Sequence, residues 1–540
     1  MTSSYDFIIV GAGSAGCVLA NRLTECGRYR VLLLEAGGDD RRFWLTVPIG
    51  YGRTFYDPKV NWMYMTEPCE TIGGRQSYWP RGKVLGGSSS INAMVYIRGQ
   101  AEDYDDWASA GNNGWSWQEV LPYFRKLETH PLGESQLHGA FGPVCITHPK
   151  KDVHPLCQDF IAGCKQAGLP ENPDFNGITQ EGAGLYHTTI HKARRMSAST
   201  AYLRPAMRRA NLHVVTKAHV ARLLVEGRKV FGVEYMKRGK KASAYASRET
   251  ILAAGAINSP QLLLRSGIGS AKVLSKLGIN VVQNSPAVGK NLQDHYGFDH
   301  YYRATRPTLN NELSPFVGKL RAGVRYLLSG RGVLAGSINQ AGGFFRTGPD
   351  QARPNLQLYF SPMSYLKAPP GSRPLMSPDP DPAFMMGLSQ CRPTSYGYLE
   401  LDPANIAGPP RIYPNYLATD HDVDELLQGA KFLRILSQTP ALKSLIAEEI
   451  DPGLDASDDA SLIAHIRTRG GTVFHPVSTC RMGPDDGTNV VDHQLRVFGL
   501  ANLRVADASV FPTIPSGNTN APAMMVGEKA SDMILRTASE

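Results

Sequence analysis

Two segments at opposite ends of this chain hold the residue types that a hydride transfer needs. Near the C-terminus, His475 stands in Thr472-Val-Phe-His-Pro-Val477, and Asn518, Thr519 and Asn520 stand in Gly517-Asn-Thr-Asn-Ala-Pro522. An imidazole titrates at about 6.5 and can take a proton near neutral pH. A side-chain amide cannot act as a base, but it can hold an oxygen that gains negative charge. An alcohol gives up a hydride readily only as its hydroxyl proton leaves, so a base and an aligned hydride acceptor are needed together. Near the N-terminus, Gly11-Ala-Gly-Ser-Ala-Gly16 has the pattern of a nucleotide cradle. If both segments serve one site, the ends of the chain meet at a redox cofactor. Against this, Pro476 biases His475 toward an extended loop backbone, and a histidine before proline is more often structural than catalytic.

The elements that must position the cradle are legible at the N-terminal end. Phe7–Val10 is a short apolar run, as in a strand covered on both faces of a parallel sheet. Cys17-Val-Leu-Ala-Asn-Arg-Leu23 then has helical periodicity, and Arg30–Glu35 reads as a second buried strand. In this order Gly11 permits the tight turn, Gly13 lets backbone approach a pyrophosphate, and Gly16 allows close helix–strand packing. The helix N-terminus directs amides and positive dipole at the phosphates. Glu35, about twenty residues past the glycines, is placed to accept from ribose hydroxyls. FAD and NAD both use this unit, which does not by itself separate them.

Composition narrows the remaining classes. A chain of 540 residues has room for two large domains. Its 42% hydrophobic and 19% charged residues are ordinary for a soluble globular protein. The net charge of +9, from 57 basic and 48 acidic residues, reads as solvated surface rather than nucleic-acid binding. The densest basic run, Lys237-Arg-Gly-Lys-Lys241, is expected as a hairpin turn between Val230–Met236 and Ala244–Thr250. Eight cysteines without a CxxC pair point to reduced, structural thiols. The first strand begins close to Met1, leaving no room for a signal peptide, and no apolar run reaches the ~18 residues of a membrane span. The expectation is a cytoplasmic monomer or homodimer, with peripheral membrane contact left open.

A second glycine-rich stretch runs Arg81-Gly-Lys-Val-Leu-Gly-Gly-Ser-Ser-Ser-Ile-Asn-Ala-Met-Val-Tyr-Ile-Arg-Gly99. It reads as a loop capping a helix or strand, with small residues that let backbone lie against a planar ligand. With Gly255–Gly269, Asn61-Trp62, Pro173–Gly177, Val288–His295 and Val505–Ser509, it resembles the ordered motifs of the glucose–methanol–choline (GMC) oxidoreductases. The resemblance spans nearly the whole chain and is closest to the choline-dehydrogenase-like branch.

That resemblance implies FAD. On the first loop it implies contacts from Gly11, Gly13, Ser14, Ala15 and Gly16, followed by Glu35 and Ala36. Around the flavin ring it implies Arg81, Val84, Gly86, Gly87, Ser88, Asn92, Ala93, Met94 and Val95. Val220 would meet the adenine through its backbone, Ala254 and Gly255 open the second motif, and Asp507 with Ala508 falls near the ribityl–pyrophosphate. The family's active-site histidine matches His475, which implies the base. Asn520 matches the second member of the pair and would hold the substrate oxygen. Asn518, with Thr519 beside it, is either a turn residue holding Asn520 or a contact to substrate or flavin. Some members attach FAD through a histidine just before the residue matching Asn92, where this chain has Ile91, so FAD is expected to be non-covalent.

The expected fold class is α/β. A discontinuous Rossmann-like FAD-binding domain covers 1–155, 205–300 and 470–540, and an α+β substrate-binding domain with an antiparallel sheet covers 156–204 and 301–469. Asn355–Phe360, Phe384–Leu388 and Gly397–Leu401 are its expected strands. Lys367–Pro382, crowded with proline, is expected as a loop over the active-site mouth, and Asp39–Pro68 as a cover on the other side of the flavin. His187 and His191 lie on a strand-like run, too far apart for a two-ligand metal site. Asp420-His-Asp-Val-Asp-Glu425 lacks the sixth-position glycine of a calcium loop and reads as acids at a helix N-terminus, so no metal is expected.

The expected function is oxidation of a primary alcohol (aliphatic, aromatic or sugar-derived) to the aldehyde by hydride transfer to flavin N5. Electrons would pass to a quinone or an artificial acceptor. An oxygen-using alcohol oxidase, and a hydroxynitrile-lyase-type enzyme with redox-silent FAD, share the fold and remain open. Phe474, Tyr359, Tyr365, Phe384 and Trp62 are candidate pocket residues. Choline would need a carboxylate or an aromatic cage, and the sequence alone does not assemble one.

Overall fold

Ser4–Val10 and Val31–Glu35 pair in parallel, Phe7 opposite Val31 and Val10 opposite Leu34, and both strands are almost wholly buried. The helix Ser14–Glu25 joins them. The computed structural model in which they lie describes residues 4–149, 152–365 and 377–539. Around this pair a seven-stranded sheet runs in the order Leu212–Thr216, Val31–Glu35, Ser4–Val10, Lys240–Leu252, Lys229–Lys237 and Ala218–Glu226, with Leu503–Val505 pairing Lys240–Leu252. Lys229–Lys237 and Lys240–Leu252 form the expected hairpin, and Arg238 and Gly239 take the positive φ that a two-residue turn requires. The inner part of Lys240–Leu252 continues parallel to Ser4–Val10 and to Leu503–Val505.

That last pairing brings the chain ends together. The C-terminal helix Asn520–Ser539 packs on Ser14–Glu25 so closely that a side-chain carbon on Gly527 would lie 2.9 Å from the Ala15 carbonyl oxygen. Glu528, fully buried between the helices, receives Arg22 at 2.8 Å and Lys126 at 3.1 Å.

The second sheet is antiparallel and also has seven strands. Its order is Ile446–Asp451, Tyr296–Ala304, Ala383–Gln390, Leu356–Ser361, Ala341–Phe345 and Gly182–Leu185, with Gly471–Thr472 on Tyr296–Ala304. The helix Asp420–Ser437 covers one face, where Gly429 lets it approach Leu388 and Leu356. Thr419 caps this helix by accepting from the Asp422 amide, and the Asp422 carboxylate accepts from the amides of Thr394 and Ser395. These acids therefore serve a helix start, as expected.

Four expectations change. The boundary at 300 cuts the strand Tyr296–Ala304, which belongs wholly to the second sheet. Gly471–Thr472 joins that sheet too, beyond the boundary at 470. The run at 397–401 contributes Tyr398–Glu400, which pairs only with Arg411–Tyr413 in a separate hairpin. In Arg81–Gly99 the regular structure is a single 3-10 turn, Gly87–Ser90, because Gly82 packs directly on Gly87 and the chain folds back on itself. Of Lys367–Pro382, residues 367–376 lie outside the described residues.

Candidate active site

Three helices begin at one cavity of about 950 Å³, and their first residues form part of its wall: Ser14 and Ala15, Gly255 and Ala256, Asn520 and Ala523. Neither Ser14–Glu25 nor Gly255–Arg265 is capped by the residue before it, and the leading amides and positive dipole end of Ser14–Glu25 suit an anion. A side-chain carbon on Gly87 would lie 2.7 Å from Gly13 Cα, so the two glycine loops touch only because both are bare. One on Gly255 would stand in open space. Glu35, at the end of its strand, accepts from the Ala12 amide at 2.9 Å and the Gly37 amide at 2.7 Å, and burial pushes its carboxyl up to about 7. Asp507 accepts from the Gly255 amide and Ser259 Oγ through Oδ2 and from the Ser509 amide through Oδ1, which pins the start of the second helix. Bare glycines, uncapped helix ends and a strand-end carboxylate along one trough fit a dinucleotide as long as FAD.

The structure gathers nearly all of the expected cofactor contacts on this trough. Gly11, Gly13, Ser14, Ala15, Glu35, Ala36, Arg81, Gly87, Ser88 and Asn92–Val95 line it, as do Val220, Ala254, Gly255, Asp507, Ala508 and Asn518–Asn520. Three expected contacts stand behind the wall instead. A side-chain carbon on Gly16 would lie 1.9 Å from the Gly11 carbonyl oxygen, so this glycine serves helix packing. Val84 is fully buried with Leu45, Val60 and Ile91. Gly86 turns the chain with positive φ, and its amide donates to the Ala12 carbonyl. Within Asp39–Pro68, Tyr51, Phe55, Tyr56, Trp62 and Met65 line the trough.

At the other end of the cavity His475 is held from several sides. Its amide donates to Asp294 Oδ1 at 2.7 Å. Asp294 Oδ2 accepts from Thr472 Oγ1 and Tyr416 OH, and burial pushes this carboxyl up to about 6. Phe474, just before His475, sits at φ 72°, a left-handed conformation that costs a non-glycine residue about 1 kcal/mol or more. Thr472 Oγ1 accepts from the Phe474 amide and Arg81 donates to the Phe474 carbonyl, so the strained corner is pinned on both sides.

The hydrogen bonds also decide which nitrogen of His475 is free. His295 Nε2 lies 2.9 Å from the Cys391 carbonyl, which can only accept, so this nitrogen carries a proton. Burial holds His295 down to about 4, so it is neutral and its Nδ1 is bare. Nδ1 of His475 lies 3.0 Å from that bare nitrogen and must donate to it. Burial, then the neighbouring His295 and Arg81, hold His475 well below the ordinary imidazole range. A neutral ring with its proton on Nδ1 leaves Nε2 unprotonated, as an acceptor on the cavity wall.

Asn518 Nδ2 reaches this Nε2 at 3.2 Å. Asn518 Oδ1 is 3.3 Å from Gln357 Nε2, and Gln357 Oε1 accepts from Tyr359 OH at 2.8 Å, which sets the orientation of the Asn518 amide. This overturns the expected pairing of His475 with Asn520. Asn520 Oδ1 instead accepts from Ser14 Oγ at 2.8 Å, at the nucleotide end. The two asparagines are two residues apart, and the helix start at Asn520 turns them to different ends of the cavity. Sequence reasoning missed His295, Asp294 and Gln357, although Asp294 and His295 close the Val288–His295 motif and stood in plain sight.

The histidines read for metal also sort differently. His187 is apart from His191 but lies with His130 and Asp174, whose ligand atoms are all within 4.8 Å of one another. His138 next to them spans Glu128 at 2.9 Å and Asp174 at 2.8 Å. Burial opposes charge on His138, yet its bonds to these two carboxylates raise its pKa, which marks the group as an ion-pair network.

A mixed sheet carrying the glycine loops and an antiparallel sheet thus meet at one cavity, which His475 lines. Residues 5–297 and 393–527 match the two GMC oxidoreductase domain profiles. Choline dehydrogenase, mitochondrial, of Homo sapiens is 44% identical over 98% of this chain and 89% of its own length. Alcohol dehydrogenase [acceptor] of Pseudomonas putida is 40% identical over 98% of this chain and 96% of its own. Among solved structures, formate oxidase superimposes with a TM-score of 0.92 at 27% identity, covering 100% of this chain and 99% of that one. Pyridoxine 4-oxidase from Mesorbium loti gives 0.87 at 31% identity, covering 98% of each. The chain belongs to the GMC oxidoreductase family and is an FAD-dependent enzyme that oxidises alcohols.

Proposed function

We propose that this enzyme oxidises a primary alcohol to the aldehyde and passes the electrons to a quinone or comparable acceptor. The observation that carries the reading is the unprotonated Nε2 of His475, on the cavity wall and accepting from Asn518 Nδ2. FAD, when bound, supplies the hydride acceptor. His475 Nε2 takes the hydroxyl proton, and the Asn518 amide steadies the oxygen as charge develops on it. Arg81, half-buried on the cavity wall, favours that negative charge and helps to keep His475 neutral.

Within this class one observation favours a cationic alcohol such as choline. Phe474, Phe55 and Tyr51 form a run of rings, at 5.2 and 6.1 Å between centroids, beside the base. Tyr56, Tyr365 and the carboxylate of Asp299 line the same cavity. Rings and one carboxylate are what a quaternary ammonium group needs. Anaerobic mixing with a panel of choline, aliphatic, aromatic and sugar alcohols tests both readings. Bleaching of the flavin band by a primary alcohol is expected, with choline the fastest if the cage is used. Absence of bleaching with every alcohol would favour the lyase. Re-oxidation by air faster than by a quinone dye would favour the oxidase.

A further inference from the structure

The helix Phe316–Ser329 turns its apolar face away from the protein. Phe316, Val317, Leu320, Val324, Leu327 and Leu328 are exposed, up to 84% at Leu328. At about 100° per residue these six fall on one arc of about 120°. Ala322, on the opposite side, is the helix's one buried residue. Lys319 borders the apolar arc on one edge, Arg321 and Arg325 border the other, and the helix contains no acid. Among the described residues, Arg325 has a loose ion pair with Asp152 at 3.8 Å, and neither Lys319 nor Arg321 has one.

We infer that this face docks on an anionic phospholipid bilayer, with the helix lying in the plane of the interface. An apolar arc edged by bases is complementary to acyl chains below a layer of negative headgroups. The helix is 14 residues long, against about 20 needed to span a bilayer, and no described helix is long and apolar enough to cross one. A second copy of the chain fits the face less well. Its bases would meet the same bases across a two-fold axis. A strip about 20 Å long and about 10 Å wide also offers far less than the roughly 800 Å² per partner of a stable dimer.

The position of the helix gives docking a consequence. Ala322 and Tyr326 pack on a cluster that includes Tyr51, Met94 and Tyr365, and these three also line the cavity. Docking would set the hydrophobic cluster that lines one wall of the cavity behind this helix, on the side that faces the lipid, where an apolar alcohol or acceptor dissolves. The inference stands on the exposed face itself and does not depend on which alcohol is used.

The test is co-sedimentation of the full-length FAD-bound protein with phosphatidylcholine vesicles, with and without phosphatidylglycerol. Binding to the anionic vesicles is expected to exceed binding to neutral ones by about tenfold, and to weaken as salt is raised. The triple variant Leu320→Ser, Leu327→Ser, Leu328→Ser and the double variant Lys319→Glu, Arg321→Glu should each lose about tenfold in vesicle binding, with unchanged flavin reduction by a soluble substrate. The charge variant leaves the apolar face intact, so it decides the matter if the triple variant folds poorly. Equal binding to both vesicle types, no binding at low salt, or binding kept by the charge variant would overturn the proposal. A dimer seen by light scattering and abolished by the triple variant would assign the face to a second copy instead.

Discussion

Nδ1 of His295 stands 3.0 Å from Nδ1 of His475, and only one of the two can carry the proton between them. The Cys391 carbonyl takes the other nitrogen of His295, so the shared proton resides on His475 and leaves its Nε2 unprotonated on the cavity wall. A backbone carbonyl thus sets the protonation of the base two rings away.

Removing the base should be costly. His475→Ala is expected to slow flavin reduction by about 10³-fold, within the range a positioned general base supplies, while FAD stays bound. Stopped-flow reduction with a good alcohol measures it. Unchanged rates would take His475 out of the mechanism.

The two asparagines should separate by phenotype. Asn518→Ala removes the amide at His475 Nε2 and should lower kcat by about 10²-fold. Asn520→Ala removes the partner of Ser14 and should act mainly on FAD retention, read as flavin lost on gel filtration. The reverse pattern would restore Asn520 as the partner of the base.

The pH profile follows from the sign of the shift. His475 works as a neutral base, and burial with His295 and Arg81 lowers its pKa, so activity is lost only as pH falls through a value well below about 6.5. Flavin reduction in the free enzyme should therefore be flat across the ordinary imidazole range. His295→Leu should lower kcat by about tenfold or more, because the acceptor that keeps the proton of His475 on Nδ1 is gone. A limb already near 6.5 in the wild type would contradict this reading.

Glu35 gives a stability prediction of the opposite sign from the usual carboxylate. Its pKa is raised to about 7 by burial, so the cofactor-free protein gains from the neutral form below the unfolded value and loses that gain as pH rises through 7. Raised from an ordinary value of 4.5, it accounts for roughly 3 kcal/mol between those limits. The stability difference between wild type and Glu35→Gln, followed by urea unfolding from pH 4.5 to 8, should change in favour of the variant with rising pH. A difference independent of pH would show that the carboxyl is not held near neutral.

FAD should leave the chain on denaturation. Ile91, buried at the position where a linking histidine would stand, has no nucleophile to offer. Acid precipitation should leave the yellow colour in the supernatant, and colour in the pellet would show a covalent bond.

FAD and the candidate base rested on the family resemblance, whereas the sequence by itself determined the strand, glycines and helix of the cradle. Those features are local: a strand, bare glycines and a helix start follow one another, and residues 4–35 fold as their own pattern dictates. His475 stood out only through the family resemblance, since a histidine before proline is by itself more often structural. Only the tertiary structure decided which asparagine faces it, since Asn518 and Asn520 share residue type and turn context. Gly517 at φ 105° and the helix start at Asn520 send one to the base and the other to Ser14. The proton's place on His475 likewise depends on Cys391 and His295, which come from distant parts of the chain. Hydrogen-bond geometry between such parts has no signature in composition or periodicity, because it exists only once the two sheets have closed on each other.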